Sequence, residues 1–148
     1  MSGKLSAFVK KRYPDGKADL FACFIERCLQ FATERGYVAM ITQHSWMFLT
    51  SFEKMRQHIF HNDIVNMAHQ GARAFEEISG EVVQTVAFVL RRSNILHYYA
   101  RYLRLVHFGT QAEKQNAFLE GRNIYTVQKS VFSVIPYSEL IYWVKPHV

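Results

Sequence analysis

Two apolar, β-prone runs with a helical segment between them dominate the fold prediction. The runs are Tyr37–Thr42 and Ile64–Ala68, and neither alternates with polar residues as a half-exposed strand would. Each is therefore predicted to be a strand buried on both faces. Between them Phe52, Met55 and Ile59 recur at helical spacing. Strand, helix and strand within about 30 residues predict a right-handed parallel crossover unit, with Thr50 or Ser51 capping its helix.

A further helix and a further strand flank this unit. Asp19 is a candidate N-cap for an amphipathic helix over residues 20–32, and Gly36 fits the position just past its end. Val82–Leu90 carries the strongest strand signal in the sequence. The loop before it, from Gln70 to Gly80, is too short for a crossover helix, so this strand should run antiparallel to its neighbours. The prediction is an α/β fold with a mixed sheet.

The pattern beyond Arg92 is less decisive. Residues 95–108 fit a helix about as well as a strand from Ala100 to Val106, and Gln111–Glu120 fits a short helix. The tail has apolar patches at 124–127, 131–135 and 140–144 that periodicity alone does not place.

Composition and charge limit the class of protein. A 49% apolar and 15% aromatic chain of 148 residues is not disordered and can bury one ordinary core. Residues 1–17 and 91–109 each carry a local charge of +4 within a net charge of +6. Two basic segments are typical of a polyanion-binding surface, although solvated arginines at strand ends are the simpler alternative. Neither an apolar membrane span nor a signal-like start at Met1–Leu5 is visible, so we expect a cytoplasmic protein without membrane contact.

The residues contain no self-contained catalytic motif. The seven glycines form no G-x-G or P-loop pattern, so no phosphate cradle is predicted. His58 and His61 with Asp63 have a spacing that could hold a metal, but a solvated helix end explains them better. His44 and Ser45 lack the elbow motif of a nucleophile.

Four segments of the sequence resemble one known family. The segments are residues 13–27 (YPDGKADLFACFIER), 36–48 (GYVAMITQHSWMF), 66–75 (NMAHQGARAF) and 80–88 (GEVVQTVAF), with weaker similarity at 102–106, 112–114 and 135–144. They resemble the adenine-specific DNA methyltransferases of BREX phage-defence systems (the PglX type). The resemblance covers nearly the whole chain.

This resemblance implies a fold, a cofactor and a partner. The implied fold is a partial Rossmann-like, S-adenosylmethionine-dependent methyltransferase sheet, with residues 1–92 as the second half of the catalytic domain and 93–148 as an irregular C-terminal extension. The implied reaction is N6 methylation of a flipped adenine in DNA. The family's glycine-rich cofactor loop and Asn-Pro-Pro-Tyr catalytic loop are absent from this sequence, so the chain should not catalyse alone. An exposed sheet edge would pair with the missing half-domain or with a second copy of the chain.

The resemblance also assigns site residues. In related enzymes the helix after the catalytic loop places an apolar side chain beside the adenine of the cofactor, and Leu20, Phe21 and Phe24 occupy that position. Packing of these residues in the core is the alternative. Phe75 occupies the position of the aromatic that stacks on the flipped base, with a hydrophobic plug as the alternative. The remaining candidate substrate contacts, all at strand ends, are Arg73, Ser45 and Trp46.

Two functions from different classes remain open at this point. One is a segment of an S-adenosylmethionine-dependent adenine methyltransferase. The other is a non-catalytic module, derived from such an enzyme, that binds DNA or a partner chain.

Overall fold

The computed structural model describes residues 2–75 and 83–144. These residues form a five-stranded sheet with helices and short 3-10 turns around it. The helices are α1 (Gly3–Arg12), α2 (Leu20–Phe31), α3 (Glu53–Phe60) and α4 (Gln111–Leu119), and the strands are β1 (Tyr37–Gln43), β2 (Asp63–Gly71), β3 (Thr85–Arg91), β4 (Tyr99–Arg104) and β5 (Ile124–Gln128).

The sheet is mixed, as predicted, with the order β1-β3-β2-β4-β5. Strand β3 is antiparallel to both β1 and β2, and it lies between them. Strands β1 and β2 therefore point the same way without being neighbours, while β4 pairs parallel to β2 and β5 pairs antiparallel to β4. The carboxyl ends of β1, β2 and β4 consequently meet at one edge of the sheet. The start of the predicted third strand, at Val82, lies outside the described residues.

One face of the sheet holds the main core. Side chains of α2, α3 and the C-terminal tail pack there against alternate strand residues that include Val38, Phe88, Leu90 and Tyr102. The opposite face is open, and the apolar groove that it lines has a volume of about 660 Å³. The strand residues lining this groove include Ala39, Ile41, Ala68, Ala87 and Val89.

The open face corrects the prediction that β1 is buried on both sides. Val38 and Thr42 are buried, but Tyr37 is 63% exposed and Ile41 is 57% exposed. The cause is the uncovered face of the sheet, since Ile41 points to the open groove while Val38 points to the main core. An apolar run shows only that both faces can be buried, and here one face is left uncovered.

The helix boundaries differ from the predictions in detail. Asp19 caps α2 as expected, its Oδ1 accepting from the Phe21 N–H at 3.4 Å, but the helix ends at Phe31. In the turn that follows, the left-handed residue is Arg35, with φ of 61°, rather than Gly36. Neither Thr50 nor Ser51 caps α3, because both lie in a 3-10 turn that leads directly into that helix.

The structure resolves the elements that the pattern left open. Residues 99–104 form the strand β4 rather than a helix, and the predicted helix near Gln111 is confirmed as α4. Helix α1 was not anticipated, and it packs on α2 through Val9, Tyr13 and Cys23. The tail adds β5 to the sheet and then returns across the core, where Tyr142 is 2% exposed.

Candidate functional site

The carboxyl edge of the sheet is the candidate site because three strand ends and two connecting segments converge there. Strand β1 leads into a 3-10 turn at His44–Met47, β2 ends at Gly71 before the loop that carries Phe75, and β4 ends at Arg104. Open α/β sheets bind ligands in the crevice outside the carboxyl ends of their strands.

The backbone at this edge is held in place from both sides. Gly71 has φ of 69°, and a Cβ there would lie 2.9 Å from Val106 Cγ1. The buried Lys114 of α4 donates from Nζ to the Gln70 carbonyl at 2.7 Å and to the Leu105 carbonyl at 2.9 Å. The end of β2 and the segment after β4 are thereby fixed, and the loop beyond Gly71 begins from a rigid point.

Two of the predicted substrate residues lie exposed on that loop. Phe75 is 41% exposed, and Arg73 is exposed with a left-handed φ of 58°. An exposed aromatic ring beside an arginine is compatible with a stacking contact to a base and a contact to phosphate. The loop continues into residues outside the described part of the chain.

The other two predicted substrate residues lie in the turn after β1. Ser45 is half-buried, and its carbonyl accepts from the N–H groups of Phe48 and Leu49. Trp46 is fully buried, donates from Nε1 to Thr42 Oγ1 at 3.1 Å and packs edge-on against Phe88. The structure therefore places Trp46 in the core and not on a binding surface, because no part of its ring is accessible.

Of the three predicted cofactor residues, one packs in the core and two line a surface groove. Phe21 packs against Phe52 of the main core, with ring centroids 5.7 Å apart. Phe24 is 58% exposed, and with the half-buried Leu20 it lines an apolar groove of about 170 Å³ between α1 and α2. Ligand pockets commonly enclose about 300–1,000 Å³, so this groove is smaller than a typical ligand pocket.

Sequence reasoning missed a histidine pair at the centre of the edge. His44 Nδ1 and His69 Nε2 are 2.7 Å apart, and His69 Nδ1 is 3.1 Å from the Tyr142 hydroxyl. The only sequence signal for this contact was the placement of His44 and His69 at the ends of two predicted strands. Tyr142 lies in a tail segment that periodicity could not place.

Burial keeps both histidines neutral near pH 7. Desolvation lowers the pKa of His44, and desolvation together with the nearby His44, Arg104 and Lys114 lowers the pKa of His69 to about 3. His69 is only 3% exposed, and the rings of Phe48, Tyr142 and Trp143 surround it.

His69 should make the fold sensitive to acid. In the unfolded chain a histidine protonates near pH 6.5, whereas folded His69 stays neutral down to about pH 3. The unfolded state therefore binds the proton first, and stability should fall below about pH 6.5 by up to roughly 1.4 kcal/mol per pH unit. Urea unfolding at a series of pH values should give a shallower decline for His69→Gln than for the unsubstituted chain. Parallel profiles between pH 6.5 and pH 4 would contradict this assignment.

The basic segment at 91–109 does not form one patch. Arg91, at the end of β3, lies at the opposite edge and binds Asp63. Arg104 lies at the carboxyl edge, where its guanidinium is 4.5 Å from the centroid of the Trp143 ring and contacts His107. Only part of the positive charge predicted for this segment therefore faces the candidate site.

His58, His61 and Asp63, whose spacing could hold a metal, make contacts with other residues. His58 lies 3.4 Å from Asp15, His61 contacts the Gln57 carbonyl, and Asp63 is buried against Arg91 and Lys129. Across residues 2–75 and 83–144, no three His, Cys, Asp or Glu side chains are grouped as metal ligands would be. Within the same ranges, no helix has the length and apolar character needed to cross a membrane.

Comparison with known proteins identifies relatives of this chain. Residues 1–75 match the family model of the Eco57I restriction-modification methylase. The chain is 46% identical over 97% of its length to the adenine-specific methyltransferase PglX of Lacticaseibacillus casei (strain Zhang). It is 41% identical over 97% of its length to the adenine-specific methyltransferase BrxX of Escherichia coli O9:H4 (strain HS). The chain spans 12% of the length of each of these relatives.

Solved structures share the fold at low sequence identity. The cryo-EM structure of a DrdV–DNA complex matches with a TM-score of 0.66 at 15% identity, over 99% of this chain and 16% of that chain. The type IIG restriction endonuclease BpuSI matches with a TM-score of 0.55 at 11% identity, over 83% of this chain and 16% of that chain. The predicted similarity to PglX-type proteins and the predicted fold class are both confirmed.

Proposed function

The chain belongs to the Eco57I restriction-modification methylase family, and we propose from this membership that it forms part of the catalytic domain of an adenine-specific DNA methyltransferase. The observation that carries the proposal is the 46% identity to PglX of L. casei, which extends over 97% of the chain. The reaction proposed is transfer of a methyl group from S-adenosylmethionine to the N6 amine of an adenine in DNA.

The chain would contribute one wall of the cofactor site. S-adenosylmethionine supplies the methyl group when it is bound. Leu20 and Phe24 fit a contact to its flat adenine ring, because both line the groove between α1 and α2 and Phe24 remains 58% exposed. Phe21 is proposed for the same site with less direct access, since its ring packs on Phe52.

The chain would also contribute contacts to DNA. Phe75 is proposed to stack on the flipped adenine, with Arg73 on a nearby phosphate and Ser45 at the rim of the site. The positions of these residues support the proposed roles, because Arg73 and Phe75 are exposed on the loop after β2 and Ser45 lies in the turn after β1. Trp46 would act indirectly, by fixing that turn on the core.

The catalytic centre would be completed by residues that this chain lacks. Its sequence contains neither an Asn-Pro-Pro-Tyr loop nor a glycine-rich G-x-G loop. Tyr37 and Ile41 are exposed on β1, whose outer edge has no partner strand among residues 2–75 and 83–144. This edge and the open sheet face provide a surface for further chain. We propose that the missing half of the domain covers this surface.

A segment replacement tests the proposal. In the L. casei relative, the matching segment would be replaced by this chain, and N6-methyladenine would be measured by mass spectrometry in DNA exposed to the chimera. We expect methylation to persist, with Phe75→Ala lowering kcat/KM by roughly 5- to 150-fold because one base-stacking contact is worth about 1–3 kcal/mol. Phe31→Ala, at a residue 69% exposed at the end of α2, is the matched control and should leave the rate unchanged.

Two results would contradict the proposal. A chimera that folds but produces no N6-methyladenine would show that this chain cannot serve as that part of the domain. Equal rates for the Phe75→Ala and unsubstituted chimeras would remove Phe75 from the base-stacking role.

The open sheet face favours a second candidate function. A non-catalytic module that binds a partner chain would use the same apolar groove and the same β1 edge, and two copies of the chain could pair there. Under this alternative, sedimentation would show a stable dimer or a partner complex. The chimera would then produce no N6-methyladenine.

A further inference from the structure

His44, His69 and Tyr142 form a chain of two hydrogen bonds. The buried hydroxyl of Tyr142 determines which atom donates and which accepts in each bond. Among residues 2–75 and 83–144, His69 Nδ1 is the only hydrogen-bond partner of the Tyr142 hydroxyl, and Tyr142 is 2% exposed. If Nδ1 donated to this hydroxyl, the hydroxyl hydrogen would be buried without an acceptor. A buried donor without an acceptor is costly, so the Tyr142 hydroxyl donates and His69 Nδ1 accepts.

This direction fixes the tautomer of each histidine. Because His69 Nδ1 accepts, its proton resides on Nε2, which donates to His44 Nδ1 at 2.7 Å. His44 is also neutral, so its own proton resides on Nε2. Among residues 2–75 and 83–144, no group accepts a hydrogen bond from this N–H. His44 is half-buried, and its Nε2 is not one of the buried side-chain atoms that lack a partner. A buried tyrosine thus holds a donor in place at the surface of the carboxyl edge.

Cations lie near this donor. The side-chain cations that act on His69 are Arg104 and Lys114, and Lys114 is in turn influenced by the carboxylate of Glu113 and by the cation Arg73. The main-chain N–H of His44 donates to the Gln84 carbonyl at 2.9 Å, where the loop carrying Phe75 returns to the sheet. A donor in this position faces an environment that attracts anions and lies beside the proposed base-stacking loop.

We propose that His44 donates from Nε2 to a phosphodiester oxygen of the DNA, and that His69 and Tyr142 are positioning residues that hold its imidazole in that orientation. This inference rests on the proposed function, which makes DNA the partner. His44 acts as an uncharged donor, in the way that amide side chains and backbone N–H groups bind phosphate. His44 therefore fixes the position of the DNA strand without adding to the charge of the protein surface.

The tautomers can be tested directly on the full chain. Long-range proton–nitrogen correlation spectra of the histidine side chains at pH 7.5 distinguish a protonated ring nitrogen from an unprotonated one. We expect the proton on Nε2 in both His44 and His69. A protonated Nδ1 in His44 would overturn the inference, because the donor would then point into the protein.

The contact to DNA is tested by fluorescence anisotropy with a labelled 30-base-pair duplex over a series of salt concentrations. His44→Ala should weaken binding about tenfold through loss of a hydrogen bond to a charged acceptor, while His44→Gln keeps an N–H donor and should stay within about threefold. Because no cation is removed, the salt dependence of binding by His44→Ala should match that of the unsubstituted chain. Arg104→Ala should instead lower the slope of log affinity against log salt concentration by about the amount that one phosphate contact contributes.

The outcomes separate this inference from the proposed function. Equal affinities of the His44→Ala and unsubstituted chains would overturn the inference alone. A salt dependence reduced by one contact in His44→Ala would also overturn it, since His44 would then bind as a cation. Absence of duplex binding by the unsubstituted chain would overturn both the inference and DNA as the partner.

Discussion

Replacing Arg56 with methionine should lower the free energy of unfolding by about 2–6 kcal/mol, because it removes the donor from two buried carbonyls at about 1–3 kcal/mol each. This is a large part of the roughly 5–15 kcal/mol typical of a domain. Arg56 is fully buried on α3, and burial lowers the pKa of its guanidinium. Its nitrogens donate to four backbone carbonyls at distances of 2.7–3.1 Å. The acceptors are the carbonyls of Trp46, Leu49, Tyr137 and Ser138.

The size of this effect follows from what the substitution leaves behind. Methionine fills a similar volume but donates no hydrogen bond, so four carbonyls lose a partner, and those of the buried Trp46 and Ser138 have little access to water. The 44–49 segment and the tail would both lose their hydrogen bonds to Arg56 of α3. Urea unfolding monitored by tryptophan fluorescence measures the change, with Arg101→Met on the exposed surface of β4 as the control, expected within about 0.5 kcal/mol. A loss below about 1 kcal/mol for Arg56→Met would contradict this account.

Replacing Asp63 with asparagine should be of comparable cost, about 3–5 kcal/mol at pH 7. The carboxylate is fully buried at the start of β2 and accepts from Arg91 Nη2 at 3.1 Å and from Lys129 Nζ at 2.9 Å. It also accepts from the Ser93 hydroxyl and the Ile95 N–H. Asparagine keeps the shape but removes the charge, so two cations lose their counter-ion.

The same carboxylate predicts a dependence on pH. Burial acts to raise the pKa of Asp63, but the hydrogen bonds from Ser93, Lys129, Ile95 and Arg91 outweigh burial and hold the pKa below its ordinary value. The stabilisation is therefore complete above the unfolded pKa of about 3.9 and is lost as the pH falls through the lowered folded value. Urea unfolding at pH 7 and below pH 4 measures the difference in free energy of unfolding between the unsubstituted chain and Asp63→Asn. We expect this difference to be smaller below pH 4.

Asp19→Asn provides the matched control for this substitution. Asp19 caps α2 by accepting from the Phe21 N–H, and asparagine caps helices about as well as aspartate. We expect no significant change in stability at pH 7. A gap for Asp63→Asn that widened as the pH fell would contradict the assigned direction of its pKa.

Local patterns were sufficient to predict most elements of this fold. The runs at Tyr37–Thr42 and Ile64–Ala68, the cap at Asp19 and the short approach to the third strand each carry a backbone or periodicity signal in a few neighbouring residues. These signals gave β1, β2, β3 and α2, and the antiparallel direction of β3, while β4 and β5 were left open. They did not reveal that one face of β1 is exposed, because exposure depends on which elements pack against each face of the sheet.

The candidate site depends on contacts between residues distant in sequence. His44 meets His69 across 25 positions, and His69 meets Tyr142 across 73 positions. No periodicity encodes such pairs, since they require both the strand order and the return of the tail across the core. Trp46 shows the opposite error: its position beside a strand end suggested a substrate contact, whereas its size and its bond to Thr42 place it in the interior.

Titration with S-adenosylmethionine is the most direct test of the claim that this chain holds only part of a cofactor site. Calorimetry would compare the isolated chain with the chimera in which the chain replaces its counterpart in the L. casei relative. We predict saturable binding by the chimera and none by the isolated chain, whose groove beside Leu20 and Phe24 is only about 170 Å³. Saturable binding of equal affinity by the isolated chain would contradict the account, because the chain would then contain a complete site.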